Sequence, residues 1–274
     1  MTEAWEDPAS GGRAGDGRAD GWRVHLRIIW ALMLRELSTR YGRDNIGFLW
    51  VVAEPLLFAA GVLALWGVAR PPYEHGLRVL PFVITGYMPI ILVRHMISHG
   101  MNCVRANREL LYHRQIAVLH LFFARLALEF VGVSLAFVVI FVLLNAAGQM
   151  DPPARLYLVY AGWVILAWTS FGLALIFGAL AEMFDYVERF VSVITYILVP
   201  LSGTFYMAAW LPPGFRRMAL YLPFLHSVEM IRGGFFGEFT PTYFDPTYAC
   251  AWAAGFTVVG LALARGVRDR VEIE

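Results

Sequence analysis

The chain has 274 residues, of which 59% are hydrophobic and 16% charged, and its formal net charge is +1. Apolar runs recur along its whole length, which excludes a single soluble domain. All 22 basic residues are arginine, so a Walker phosphate loop, which needs a lysine on the nucleotide phosphates, is excluded as well.

In chain order, residues 1–21 are rich in Gly, Asp, Ala and Arg and lack the apolar run of a signal peptide. They are expected to form a disordered cytoplasmic tail, leaving the first span as its own insertion signal. Over residues 22–45, Trp22, Leu26, Ile29, Met33 and Leu37 recur at helical spacing opposite Arg23, Arg27 and Arg35. The apolar stretch 28–34 is too short to cross a bilayer, so this segment reads as an amphipathic helix lying in the interface. Arg35, Arg40 and Arg43 would sit among anionic headgroups, and the run 46–68, with Glu54 as its one charge, is long enough to span hydrocarbon.

A span-length reading gives six transmembrane segments, at 48–69, 80–98, 119–146, 156–180, 190–207 and 247–264. The last is short and contains glycine. The fold class is therefore an all-α membrane protein, with a six-span domain over 46–265 and a cytoplasmic tail over 266–274. Between the fifth and sixth spans, residues 208–245 hold two short apolar pieces, near 215–222 and 224–231. Pro212, Pro213, Pro223, Gly233 and Gly234 interrupt them, and neither piece can cross alone. Either they re-enter the membrane or they lie on its surface.

An even span count puts both termini on one side. The termini and the loops 99–118 and 181–189 carry 14 arginines against six in the opposite loops, so the positive-inside rule makes both termini cytoplasmic. Cys103 and Cys250 then fall near opposite faces, which argues against a disulfide between them.

Catalytic signatures are missing. The chain contains no Gly-x-Ser-x-Gly elbow, no His-Glu-x-x-His and no carboxylate pair at acid/base spacing on a loop, and no metal ligands are assigned. His226 and Ser227 are adjacent and cannot by themselves make a base and a nucleophile. The arginines are spread along membrane edges rather than clustered with stacking aromatics, so nucleic-acid binding is not expected. No pair of similar halves with matching broken helices is visible, which disfavours an ion-coupled carrier.

Residues 35–55 fit the pattern Arg-x-Leu-x2-Arg-Tyr-x5-Gly-x2-Trp-x4-Pro through Arg35, Leu37, Arg40, Tyr41, Gly47, Trp50 and Pro55, with Glu54 before the proline. A second stretch reads Asn-Arg-Glu-Leu-Leu-Tyr-His-Arg-Gln over 107–115, followed by Phe-Ala-Arg-Leu-Ala-Leu-Glu over 123–129. Together they resemble the permease subunits of type-2 ATP-binding-cassette exporters of polysaccharide, most of all the capsular branch. The resemblance extends over roughly residues 22–265. It implies a homodimer with two ATPase subunits that bind ATP and Mg, exporting a lipid-linked polysaccharide from the bacterial inner membrane. This chain itself would hold no cofactor. The capsular branch would add a periplasmic co-polymerase and an outer-membrane exit pore as partners. O-antigen and teichoic acid permeases share the same residues.

By the same resemblance, residues 105–116 are a coupling helix docked on the ATPase, through Arg105, Asn107, Arg108, Glu109, Leu110, Leu111, Tyr112 and His113. Read without it, they form a solvated loop that retains positive charge, with Leu110, Leu111 and Tyr112 exposed unless something covers them. The acidic loop 182–189, with Glu182 and Asp185, is a second candidate contact on that side. Glu54, Arg94, Arg125 and Glu129 fall inside spans, where a charge costs roughly 2.5–3.5 kcal/mol unless paired or wetted. Counted from the cytoplasmic ends, Glu54, Arg94 and Arg125 could form one charged layer meeting the lipid carrier's phosphate, or the arginines could snorkel or pair with the glutamates. Trp50, Tyr87 and Tyr196 are candidates to stack on sugar rings in a channel. Phe48, Trp168 and Phe205 share that chemistry, though aromatics near span ends also form interfacial belts. A membrane-embedded glycosyl- or acyltransferase would need an acidic or histidine cluster at one face, and His95 and His99 near Glu54 are the only residues that could supply it.

Overall fold

The computed structural model describes residues 16–41, 47–71, 73–111, 116–184 and 186–271. Among the described residues, five helices are long and apolar enough to cross a membrane: α2 (Gly47–Ala69), α3 (Val79–Met101), α5 (Val118–Ala146), α6 (Leu156–Met183) and α10 (Pro246–Val271). Their bounds follow the expected spans closely. The protein is thus an all-α membrane protein, and its only strands among the described residues are the two-residue pair β1 (Tyr73–Glu74) and β2 (Leu77–Arg78). That hairpin marks one end of the bundle, and residues 102–111 mark the other.

The core is built from α3, α5 and α6, joined by α9 (Pro223–Phe236). Close approaches are made where a side chain is missing, as in other membrane bundles. A Cβ on Gly260 would lie 2.6 Å from Leu175 Cβ, and one on Gly172 would lie 2.7 Å from Phe256 Cβ, so α6 and α10 touch through their backbones. Gly132 of α5 meets Val51 of α2 in the same way. Gly100 of α3 meets Ala174 of α6.

The N-terminal helix α1 (Asp16–Tyr41) begins within the segment expected to be a tail. It packs on the first turns of α5 through Leu32, Ile28 and Ile29, a 2.8 Å contact from His25 Nδ1 to His120 Nε2, and Glu36. The expected apolar stripe is only partly the buried one. Trp22, Leu26, Trp30 and Leu34, one turn apart, stay exposed on another face, available to lipid.

The fifth expected span, 190–207, is shorter in the structure. Its helix is α7 (Val187–Leu201), whose 15 residues rise about 22 Å, short of a hydrocarbon core of roughly 30 Å. Pro200 sits near its end, and Gly203 turns the chain at φ +81°, a conformation that favours glycine. Beyond it, α8 (Pro213–Ala219) has no buried residue and exposes Phe215 and Met218, as a surface helix does. In contrast, α9 is buried from Pro223 to Gly234 and packs against the first turns of α6. Of the two short pieces, one is therefore exposed on the bundle and the other is buried within it. Prolines begin α8, α9 and α10, where a missing N–H costs nothing, and the Asp245 carboxylate accepts from the Thr247 and Tyr248 N–H groups to cap α10. Cys103 and Cys250 are not joined.

Candidate functional site

The segment expected to couple to an ATPase begins as a 3-10 turn, Arg105–Asn107, followed by the single helical turn α4 (Arg108–Leu111). Tyr112, His113 and Asp185 lie outside the described residues. Within the segment, several side chains expected to face outward turn in. Asn107 is buried, donates to the Cys103 carbonyl at 3.0 Å and accepts from Arg35 of α1 at 3.0 Å. Leu110 packs against the core rather than standing exposed, because α4 has only one turn and this side meets the bundle. Among the described side chains of the segment, Ala106 and Glu109 are exposed; the side chains of Arg108 and Leu111 lie outside the described set.

Arg105 is the hub of this end. Its guanidinium donates to the Ala181 carbonyl at 2.7 Å and lies 3.6 Å from Glu182 and 3.8 Å from Glu188. One side chain thus links the segment to the end of α6 and the start of α7. The Glu182 side chain is only 4% exposed, so its contact is with Arg105 and not with an outside surface.

The charges inside the spans do not form one layer. Val51 lies against Gly132, which sets Glu54 about ten residues, or about 15 Å, further along the bundle than Arg125. Arg125 is buried against Glu36 of α1 at 3.5 Å, with the Asn102 carbonyl also at 3.5 Å, and this removes it from any exposed path. Glu129 lies between His95 and His99, at 3.3 and 3.2 Å, so the histidines gather on Glu129 and not on Glu54. The expectation that they stand with Glu54 is corrected accordingly.

What remains open is a face shared by α2, α3 and α7. Trp50 and Glu54 line a groove along α2 with Leu57, Phe58, Gly61 and Leu65. Trp50 is half exposed, and Glu54 makes no hydrogen bond or ion pair among the described residues. On α3, Tyr87 and Arg94 stand two turns apart, and the Arg94 guanidinium lies 4.5 Å over the Tyr196 ring of α7. Tyr87 is largely covered by neighbouring side chains, whereas Tyr196 is 64% exposed. Near the hairpin end α2 and the chain after α7 close together, with Trp66 stacked on Phe205 at 5.3 Å.

The most heavily bonded group was not recognised in the sequence. Arg232 of α9, counted there among loop arginines, is wholly buried. Its guanidinium donates to the carbonyls of Gly203 and Tyr206 at 2.6 Å and Thr204 at 2.9 Å, and lies 4.2 Å over the Phe82 ring. One turn before it, Glu229 accepts from the N–H groups of Ala208 and Tyr243 at 3.1 and 3.0 Å. Burial pushes the Glu229 carboxyl up and the Arg232 guanidinium down, and each charge limits the other's shift. Together they pin α9 to the turn that ends α7.

Comparison with known proteins places this arrangement. The chain is 35% identical over 249 residues to the capsule polysaccharide export inner-membrane protein CtrC of Neisseria meningitidis serogroup A, covering 91% of this chain and 94% of that protein. It is 34% identical to the capsule polysaccharide export inner-membrane protein BexB of Haemophilus influenzae, with the same coverage. Against the polysialic acid transport protein KpsM of Escherichia coli, identity is 23%, covering 89% of this chain and 95% of that protein. The sequence profile of ABC-2 type transporters matches residues 27–236, and the chain belongs to that family.

Proposed function

We propose that this chain is the membrane subunit of an ATP-driven exporter that moves lipid-linked capsular polysaccharide across the bacterial inner membrane. The observation that carries the reading is its likeness, over 91% of its length, to capsule polysaccharide export inner-membrane proteins. Two copies would enclose the path. Two separate ATP-binding-cassette subunits would bind ATP and Mg and hydrolyse the nucleotide, and a periplasmic co-polymerase and an outer-membrane pore would continue the route.

The exposed surfaces support such an assembly. On α7 only Val191 and Thr195 are buried, while Phe190, Tyr196 and Ile197 stand open, and α2 exposes Trp50, Phe58 and Leu65. Glu54 on that face would cost roughly 2.5–3.5 kcal/mol against lipid, a penalty that a wet path between two copies removes. The arginine bias puts residues 102–117 and both termini in the cytoplasm. Closure of the ATPases would then push on residues 105–116, and Arg105 would carry the motion to α6 and α7 through Glu182 and Glu188. Arg94 offers its charge to the lipid carrier's phosphate, with Trp50 and Tyr196 as flat apolar surfaces for sugar rings.

The test is co-purification with an ATP-binding-cassette ATPase expressed with it. The wild type is expected to form a complex with coupled ATP hydrolysis, and a protein with Arg108, Leu111 and Tyr112 all changed to Ala is expected to lose that coupling. Failure of any such ATPase to associate would end the exporter reading.

A further inference from the structure

We infer that His95, His99 and Glu129 form a binding site for one divalent transition-metal ion, zinc first, that clamps α3 to α5. His95 and His99 are four residues apart, which puts both imidazoles on one face of α3, and Glu129 reaches them from α5. One donor atom from each residue falls within a 4.8 Å set. His95 Nδ1 lies 3.3 Å from one Glu129 oxygen and His99 Nδ1 lies 3.2 Å from the other. A tetrahedral ion with bonds of about 2.0–2.1 Å holds adjacent donors about 3.3–3.4 Å apart; each histidine already stands at that distance from a Glu129 oxygen, and small side-chain rotations that bring one oxygen to both rings would complete the set. His99 Nδ1 is also 3.0 Å from the His95 carbonyl, a hydrogen bond the ring would exchange for the metal.

The surroundings favour an ion. The Glu129 side chain is 5% exposed and the two histidines 17% and 29%, so the three donors sit largely inside the bundle with one side more open. The more open His99 side leaves room for a water as fourth ligand. Imidazole with carboxylate suits zinc and its neighbours in the first row, whereas magnesium and calcium prefer all-oxygen sites. The clamp would lie within two turns of the end of α3 at Met101, just before residues 105–116, and would stiffen the route by which that segment moves the bundle.

The competing arrangement uses the same three residues with protons on both imidazoles and no metal, and a direct measurement separates the two. The full-length protein, carrying a tag without histidine, is purified without chelator, loaded with zinc, desalted and analysed for metal. About one zinc per chain is expected. His95→Ala and His99→Ala are expected to weaken zinc binding by about 100-fold or more in competition with a chromophoric chelator, and His25→Ala to leave it unchanged. Glu129→Gln keeps the size of the side chain and serves if the alanine variants do not assemble; it should weaken zinc by at least about tenfold. A wild-type protein that holds no zinc after loading, or zinc retained by the His95 and His99 variants, would overturn the proposal.

Discussion

Arg232 shows how one residue can decide local architecture. Its fork matches three carbonyls left unpaired where α7 ends, and no neutral side chain could satisfy them together. Arg232→Met would leave those three carbonyls buried without their donor and remove a charge that favours the buried Glu229 carboxylate, and each buried polar group left unsatisfied costs about 1–3 kcal/mol. The expected result is a large drop in thermal stability in detergent, and an unchanged melting temperature would contradict the assignment. Arg105 is partly exposed, so its effect is smaller. Exchanging Arg105 and Glu182 should recover most of the coupling that Arg105→Glu alone loses, measured as ATP hydrolysed per polymer exported, if their contact transmits motion. At the open face, Arg94→Ala is expected to lower export several-fold while assembly with the ATPase survives; unchanged export would remove Arg94 from the path. Little of this could be read residue by residue. Arg232 lies among prolines and glycines and resembles a loop cation, and Arg125 finds Glu36 from a helix 89 residues away in sequence. Such pairings depend on tertiary placement, which spacing does not encode.

At the scale of elements the sequence is more informative. Hydrocarbon imposes length and polarity on each crossing helix, so α2, α3, α5, α6 and α10 were visible to within a few residues at most of their ends. The elements that differ are those set by local backbone chemistry or by packing. The helix at α7 stops at Leu201 because the chain turns at Gly203, and α9 is buried in the bundle while α8 is not, a difference that rests on Arg232 and Glu229. Helix α7, with two buried residues, and the groove side of α2 await a covering surface. If a second copy supplies it, Gly61→Cys on the α2 groove should give a disulfide-linked dimer in membranes, whereas Val133→Cys in the core should not. Equal cross-linking of both, or of neither, would count against that interface.

The whole molecule is a membrane bundle with a tightly packed centre of α3, α5, α6 and α9, flanked by the loosely covered helices α2 and α7. The charged end at Arg105 is tied to α6 and α7, and the hairpin end is closed by Trp66 and Phe205. Such a division suits a device whose core stays rigid while one face opens and shuts. The central claim, polysaccharide export, is tested most directly by deleting this chain from its host and measuring polysaccharide inside the cell and at its surface. The account predicts that polymer is still made, accumulates in the cytoplasm, and returns to the surface when the wild-type chain is restored. Surface polysaccharide that is unchanged by the deletion would contradict it.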